Sequence, residues 1–376
     1  MPQRFTVGIE EEFQMVDRAT GQLSAHINTL MEKGVPLFGE QIKPEMLQST
    51  VEIISNVCPD IAAVRKEMHA LRAKLAQLLA EDGLALVSAG THPAAIWTDQ
   101  MTTPNPRYLE LQEEFQDVAR SILIFGLHVH VGVENREIAI TLMNQLRTWL
   151  PHLLALSSNS PFWGGRLTGL KSYRSVVWKR FPRSGLPDAY ATWDDFNRYV
   201  QTLIDTDCID NGKKIWWDIR PHAFFHTIEF RVFDMPATFE DVIAIAALCQ
   251  ALVAKLSWLH THGMAAHIFP RNLLDENKWR SMRYGLDASI VDFAKNRTLS
   301  LRDSIHELLD FVDDVVDDLG TRNEMTCIRS LLVDPRGTGA DRQIAMYQQT
   351  GSVDAVIRHL MQQTMQDITF DDAIRS

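Results

Sequence analysis

Apolar and polar residues alternate along the start of the chain. Residues 5–16 read FTVGIEEEFQMV, so an extended strand there presents apolar side chains on one face and polar side chains on the other. Segments of similar character predict further strands at 47–54, 84–90, 123–133, 215–220 and 227–233. Because a polar turn containing proline joins the last two, we predict a hairpin there and a sheet that is at least partly antiparallel.

Helical periodicity accounts for most of the remaining chain. Asp60 caps a predicted helix that stops at Gly83. Thr192 and Thr238 each open another helix. Further predicted helices cover roughly 300–319, 340–349 and 353–366. With no internal repeat or low-complexity linker, these patterns predict one domain over residues 1–376, with a mostly helical part from about residue 238.

The composition is that of an ordinary globular protein. Of the 376 residues, 45% are hydrophobic and 23% are charged. No apolar run reaches the ~18 residues of a membrane helix, and the first residues lack a secretory signal, so we expect a cytoplasmic protein with no membrane partner. A net charge of −11 gives no basic stripe for phosphates, so we expect no nucleic-acid partner. Whether identical chains form an oligomer stays open.

The four cysteines are widely spaced and include no CxxC pair, which argues against a zinc knuckle or a disulfide framework. We expect each to be a small buried hydrophobic residue. They are Cys58, Cys208, Cys249 and Cys327.

Charged residues interrupt several of the predicted strands. Residues two apart share a face of a strand, so these side chains gather on one side of the sheet. They are Glu10, Glu12, Glu52, His128, His130, Glu229 and Arg231. A solvated strand face would explain any one of them, but gathered carboxylates repel one another and lose water unless cations neutralise them. Glutamate oxygens with an imidazole suit Mg²⁺ or Mn²⁺, so we predict a divalent metal site.

Arginines are the candidate groups for binding anions. Arg220 and Arg231 lie in otherwise apolar strands, where an anionic partner is favoured over simple surface charge. A second cluster, for which surface charge is an equally good explanation at Arg166 and Arg183, comprises Arg166, Arg174, Arg180 and Arg183. Neither a GxxxxGK[ST] loop nor a GxGxxG after a strand occurs, which disfavours P-loop and Rossmann nucleotide sites.

Two other charged features have structural explanations. Residues 310–318 contain five aspartates, a composition typical of magnesium–diphosphate motifs, but the apolar residues between them form a helical stripe. We therefore predict that the aspartates lie on a solvated face. Glu11 falls on the apolar face of the first strand, so we expect it to pair with a buried arginine or to face a helix, without a catalytic role.

Taken in order, several segments resemble the carboxylate–amine ligases of the bacterial type 2 glutamate–cysteine ligase family. The most specific are the GIExE segment at 8–12 and the GxHxHVG segment at 126–132. Other matching segments lie at 51–60, 90–93, 156–161, 216–221, 227–234 and 283–286. The last ~90 residues carry no motif that we can match.

The resemblance implies a glutamine synthetase-like α+β fold, in which a curved, mainly antiparallel sheet is backed by helices. It implies that Mg²⁺ (or Mn²⁺) and ATP bind on the concave face of the sheet. The family activates the γ-carboxylate of glutamate as an acyl phosphate, from which an amine such as that of cysteine displaces phosphate. Members of this branch often act only weakly on glutamate and cysteine, which leaves another amine acceptor open.

The matched positions also imply roles for individual residues. Arg231 would stabilise the phosphoryl group in transfer, and Glu52 would be both a ligand and a catalytic residue. The implied metal ligands are Glu10, Glu12, Glu52, His128 and Glu229. Arg220 and His130 lie in matched segments, whereas Arg174 and Arg180 come from the arginine cluster; all four are candidates for binding ATP or substrate.

Two other functions are open to this sequence. A metal-dependent amidohydrolase could use the His128-x-His130 pair to bind zinc, although glutamates on the preceding strands favour magnesium. A regulator that binds a nucleotide or amino acid without turnover is the second, but its complete set of carboxylates argues against it.

Overall fold

A seven-stranded sheet organises the protein. The computed structural model describes residues 5–369. Its strands are β1 (Val7–Asp17), β2 (Ile42–Pro44), β3 (Thr50–Ile54), β4 (Leu84–Val87), β5 (Gly126–Gly132), β6 (Phe162–Trp163), β7 (Arg166–Leu167), β8 (Ser184–Gly185), β9 (Trp216–Trp217), β10 (Ile219–Pro221), β11 (Thr227–Asp234), β12 (Ser289–Asp292) and β13 (Arg297–Ser300). The large sheet has the order β10-β11-β5-β1-β3-β2, and β4 pairs with the end of β1. Every pairing in it is antiparallel, which confirms the predicted sheet.

The helices that cover this sheet begin largely where capping residues predict. The Thr192 and Thr238 hydroxyls accept from the backbone N–H three residues later, at 3.1 and 3.2 Å, and Asp60 caps in the same way. The helices are α1 (Ile27–Phe38), α2 (Ile61–Glu81), α3 (Pro106–Phe115), α4 (Asp117–Arg120), α5 (Arg136–Leu146), α6 (Leu150–Ser157), α7 (Arg174–Trp178), α8 (Trp193–Asp205), α9 (Phe239–Thr261), α10 (Arg271–Tyr284), α11 (Leu301–Phe311), α12 (Asp313–Leu319), α13 (Arg322–Val333), α14 (Gly339–Thr350) and α15 (Val353–Met365).

Three local predictions need correction. The predicted strand at 215–220 is divided at Asp218, because β9 pairs in parallel with β8 while β10 pairs with β11. Asp218 joins the two arrangements: its N–H donates to Gly185 O and its carbonyl accepts from Arg231 N. The helical final third also contains the hairpin β12–β13, which turns at Asn296 with a φ of 48°, and the predicted helix 300–319 breaks at Val312.

Helix α9 forms the centre of the core. It packs against β1, β5 and α2, and most of its side chains are buried. Contrary to the sequence expectation, α9 is long and apolar enough to span a membrane by length and composition, with a mean hydropathy of 1.9 over its most apolar window. Because 83% of that window is buried inside the protein, α9 has the environment of a core helix.

The apolar face of β1 contains the buried ion pair that the sequence predicted for Glu11. The Glu11 carboxylate pairs with the Arg72 guanidinium on α2, and both side chains are fully buried. The guanidinium carbon also lies 5.0 Å from the ring centroids of Phe13 and Phe239. This carboxylate therefore has its counter-ion within the fold.

Two further sequence predictions are tested by burial. The aspartates of residues 310–318 are all exposed, which confirms a solvated face. The prediction for the cysteines is wrong for two of the four: Cys58 and Cys249 are buried, but Cys208 and Cys327 are exposed. Cys208 follows the end of α8 and Cys327 lies on α13.

Candidate active site

The polar face of the sheet forms the floor of a cavity of about 700 Å³. Antiparallel register sets its layout, because residues directly opposite each other point to the same face. Glu10 on β1 lies opposite His128 on β5. Glu12 lies opposite Glu52 on β3. Eight of the residues predicted from the sequence line this cavity: Glu10, Glu12, Glu52, His128, Arg174, Arg220, Glu229 and Arg231.

Two groups of donor atoms within the cavity fit a divalent cation. One is formed by Glu10, His128 and Glu229 and the other by Glu12, Glu52 and His128, with the ligand atoms of each group within 4.8 Å of one another. His128 Nδ1 lies 2.8 Å from Glu10 Oε2. His128 Nε2 is buried without a hydrogen-bond partner among residues 5–369 and lies 4.0 Å from Glu12 Oε1. Oxygen donors with one imidazole are a suitable ligand set for Mg²⁺ or Mn²⁺.

Glu52 is the carboxylate with the greatest need of a counter-ion. The residue is buried. Among the described residues, no side chain or backbone group forms a hydrogen bond or an ion pair with its carboxylate. Burial, followed by the charges of Glu10 and Glu45, raises its pKa well above the ordinary value for glutamate. A cation bound between Glu12 and Glu52 would reverse this effect.

Glu10 and Glu229, in contrast, already have imidazole or guanidinium partners. Burial opposes ionisation of Glu10, but hydrogen bonding from His128 and His130 outweighs it and lowers the Glu10 pKa. Burial likewise opposes ionisation of Glu229, whose pKa is nevertheless lowered by Arg220 and Arg231. Burial lowers the pKa of His128, which favours the neutral imidazole that binds metals.

Two arginines hold Glu229 in place. Arg220 forms a fork with its carboxylate, with Nε 2.7 Å from Oε2 and Nη2 3.1 Å from Oε1. Arg231 Nη1 lies 2.5 Å from Oε1. A register shift between Phe230 and Phe233 takes Arg231 out of the β5 ladder, and its N–H donates instead to Asp218 O at 2.8 Å. Arg231 Nε is buried and has no described partner, so this guanidinium can bind a further anion.

Arg174 is buried beside this group. It donates to Arg231 O at 3.4 Å, and its Nε has no described partner. Its guanidinium lies against Gly126, where any Cβ would clash with it, and the Gly126 N–H donates to Glu12 Oε2 at 2.5 Å. A side chain at this position of the GxHxHVG segment would have to displace the buried Arg174 guanidinium.

The structure places two of the predicted binding residues away from the cavity surface. His130 lies behind Glu10, with Nε2 3.3 Å from Glu10 Oε1 and Nδ1 3.2 Å from Thr227 Oγ1. Arg180 is exposed and donates to Ser121 Oγ at 3.3 Å. The geometry therefore supports an indirect position for His130 and gives Arg180 no contact with the site.

Several lining residues were not found by sequence reasoning. Glu45 and Arg107 line the cavity from the β2–β3 connection and the first turn of α3. Neither lies in an alternating strand or a recognised motif, so periodicity gave no signal for them. Of the nine tryptophans in the chain, Trp178 and Trp216 line the cavity. Trp217 instead stacks on Tyr199 in the core, with ring centroids 5.6 Å apart.

Comparisons with known proteins point to one family. The sequence model that describes glutamate–cysteine ligase family 2 matches residues 6–359 of this chain. A protein of Solibacter usitatus, provisionally named glutamate–cysteine ligase 2, is 49% identical over 360 residues, which cover 96% of this chain and 93% of that one. A Chloroflexus aurantiacus protein with the same provisional name is 47% identical and covers 97% of this chain and 93% of its own.

Two solved structures share the fold at low sequence identity. The glutamate–cysteine ligase of Francisella tularensis, solved in complex with AMP, matches with a TM-score of 0.73 and 15% identity over 99% of this chain and 91% of its own. A bifunctional glutathione synthetase of Pasteurella multocida matches with a TM-score of 0.73 and 14% identity over 97% of this chain and 52% of its own. The extent of the family match and the identity to its relatives show that the chain belongs to glutamate–cysteine ligase family 2.

Proposed function

We propose that this protein is a ligase that uses ATP to join the γ-carboxylate of glutamate, or a related carboxylate, to the amine of cysteine or another amine. The reaction depends on Mg²⁺ or Mn²⁺ and passes through an acyl phosphate. One observation carries the proposal: two cation-compatible donor groups share a cavity with two buried guanidinium groups that have unpaired N–H donors, those of Arg174 and Arg231. Membership of the family and the AMP complex of the Francisella tularensis relative support it.

The cation would be held by the five ligands predicted from the sequence, with His128 shared between the two groups. When bound, it neutralises the carboxylates and the outer phosphates of ATP, which removes the repulsion between two anions that must meet. The ligands are Glu10, Glu12, Glu52, His128 and Glu229.

Two arginines and two tryptophans that line the cavity would assist the transfer of the phosphoryl group. A carboxylate oxygen forms a bond to the γ-phosphorus as the bond from that phosphorus to the bridging oxygen breaks, and ADP leaves. Arg231 and Arg174, which line the same cavity as the carboxylates, would donate to the oxygens that gain charge during this transfer. The amine then attacks the acyl carbon, phosphate leaves and the amine releases a proton. Trp178 and Trp216 would help to exclude water, which hydrolyses acyl phosphates.

The donor set gives less support to a zinc-dependent amidohydrolase. That activity would use His128 and His130 together, but both cation-compatible groups contain His128 with two carboxylates, and neither contains His130. The His130 ring already faces Glu10 and Thr227. Carboxylate-rich sites are better suited to Mg²⁺ than to Zn²⁺.

Isotope transfer tests the proposed chemistry. Glutamate labelled with ¹⁸O in its γ-carboxylate is supplied with Mg²⁺, ATP and cysteine, and the released phosphate is analysed by mass spectrometry. An acyl phosphate requires ADP as the nucleotide product and one ¹⁸O atom in each phosphate. A panel of other amines with labelled glutamate extends the test to the acceptor. Formation of AMP, or unlabelled phosphate accompanying amide formation, would exclude this mechanism.

A further inference from the structure

Helix α10 turns a mainly polar face into the protein. Four of its residues are buried, and three of them, Asn277, Lys278 and Ser281, are polar. A helix that covers a core normally buries apolar side chains, so a buried polar face indicates that the helix holds other segments by specific bonds. Asn277 does so directly, since it exchanges two hydrogen bonds of 2.8 Å with the main chain of Val291 on β12.

Lys278 reaches from this face to Asp218, the residue that joins β9 to β10. The Lys278 Nζ lies 2.6 Å from Asp218 Oδ2, and both side chains are buried. This is the one described hydrogen bond to the Asp218 carboxylate. The carbonyl of Asp218 in turn accepts from Arg231 N at 2.8 Å. Neither Lys278 nor Asp218 is among the described residues that line the cavity, so the pair lies behind the site.

This contact supplies the main-chain partner that β5 does not give to Arg231. The irregular register of β11 leaves the Arg231 N–H outside the ladder. The carbonyl of the same residue accepts from the Arg174 guanidinium at 3.4 Å. A continuous series of contacts therefore runs from Lys278 through Asp218 to both arginines of the cavity.

The end of α10 makes a second contact, with the segment that precedes Arg174. Met282 O accepts from Lys171 N at 2.8 Å and from Ser172 N at 3.1 Å. Arg174 begins α7 two residues after Ser172. The helix thus contacts the chain beside each of the two arginines.

We infer that Lys278 is a positioning residue for the phosphoryl transfer: by pairing with Asp218 it fixes the main chain that holds Arg231, and so places the Arg231 guanidinium in the cavity. This inference rests on the proposed ligase function. It gives α10 a role in the active site, although none of the described residues of this helix lines the cavity.

An ion pair suits this role because it fixes geometry more than it adds stability. Replacing a buried ion pair by apolar side chains is often neutral or stabilising, whereas removing one partner leaves an uncompensated charge. The Asp218 carboxylate has one cation to set its direction among the described residues. Because the carboxylate and the carbonyl that accepts from Arg231 belong to the same residue, a change at the first moves the second.

Turnover and stability together separate positioning from simple support of the fold. In Lys278→Met, kcat per folded molecule with Mg²⁺, ATP, glutamate and cysteine at low temperature should fall at least about tenfold. The KM for ATP should stay within about twofold, since Arg231 acts on charge that develops during the transfer. The Tm should fall by about 4 °C or more. Arg271→Met, which removes an exposed cation from the same helix, is the matched control and should behave as the wild type.

The double variant Asp218→Asn/Lys278→Met removes both charges. Its Tm should return to within about 2 °C of the wild type. Its kcat should stay at least about tenfold low, because no ion pair fixes the main chain at position 218. A crystal structure of this variant tests the position without turnover: the distance from Arg231 N to the carbonyl oxygen at position 218 should exceed about 3.5 Å. If Lys278→Met does not fold, the double variant alone decides.

The inference is overturned if kcat per folded molecule matches the wild type in Lys278→Met, or if kcat recovers together with Tm in the double variant, because the pair would then only support the fold. An unchanged position of Arg231 in the crystal structure overturns it as well. In each of these cases, amide formation by the wild type leaves the proposed function standing. A displaced Arg231 in a protein whose wild type forms no amide supports the positioning role and contradicts the proposed function.

Discussion

Neighbouring glutamates on the two faces of β1 differ in whether the fold supplies a counter-ion. Glu11 points to the helical side, where Arg72 neutralises it between two aromatic rings. Glu12 points to the cavity, where Glu52 lies opposite and no arginine contacts either carboxylate in the described structure. The difference shows that burial of a carboxylate does not by itself indicate function. A buried carboxylate without a counter-ion in its own chain indicates a charge that must come from outside.

Removing the charge of Glu11 should have the largest effect on stability. Glu11→Gln leaves the Arg72 guanidinium buried and uncompensated, which should lower the free energy of unfolding by about 3–5 kcal/mol. Urea unfolding of the variant and of the exposed control Glu113→Gln measures it. Activity per folded molecule should be close to that of the wild type at low temperature. A loss below ~1 kcal/mol would show that the pair does not stabilise the apolar face.

Removing a charge from the cavity face should instead affect turnover. Glu52→Gln and Glu229→Gln should each lower kcat at least about a hundredfold, or ~2.7 kcal/mol, because each removes a ligand for the cation that stabilises the transferred charge. Steady-state phosphate release, with circular dichroism to confirm folding, measures this effect. Near-normal turnover in either variant would remove that residue from the site.

The smallest expected effect is a gain in stability without metal. Glu52 has a raised pKa in the folded protein, so between its unfolded value of ~4.3 and its folded value the folded state holds the extra proton. Stability therefore falls as pH rises through this window. The stability of Glu52→Gln does not fall in this way, because glutamine has no proton to lose. With a chelator present to remove metal, the Tm of the variant should therefore exceed that of the wild type by about 2 °C or more at pH 8, and by less at pH 5. A gain that is larger at pH 5 would contradict the assigned pKa direction.

The sequence predicted those parts of the site that depend on strand alternation. Glu10 and Glu12 were assigned to one face because side chains alternate along a strand, and the position of Glu11 on the other face followed directly. The strand order that brings β5 and β3 to either side of β1 depends on long-range pairing, which the alternation does not contain. The family resemblance supplied that information.

Strand alternation gave no signal for the site residues that lie outside the strands. Glu45 reaches the cavity because the three-residue strand β2 ends just before it, and Arg107 because α3 crosses to that edge. Arg180 was grouped with Arg174 by sequence proximity. However, Arg174 begins the short helix α7 and is buried, whereas Arg180 follows the end of that helix and faces solvent. Nearness in sequence does not decide which side chain faces a site.

Cation binding tests the central claim most directly. Titration of the metal-free protein with Mn²⁺, followed by electron paramagnetic resonance of the free ion, should show binding by the wild type and by the exposed control Glu113→Gln. Binding should weaken at least about tenfold in Glu52→Gln, because a charged ligand is lost from the Glu12, Glu52 and His128 group. Failure of the wild type to bind Mn²⁺, or equal affinity in Glu52→Gln, would contradict the account.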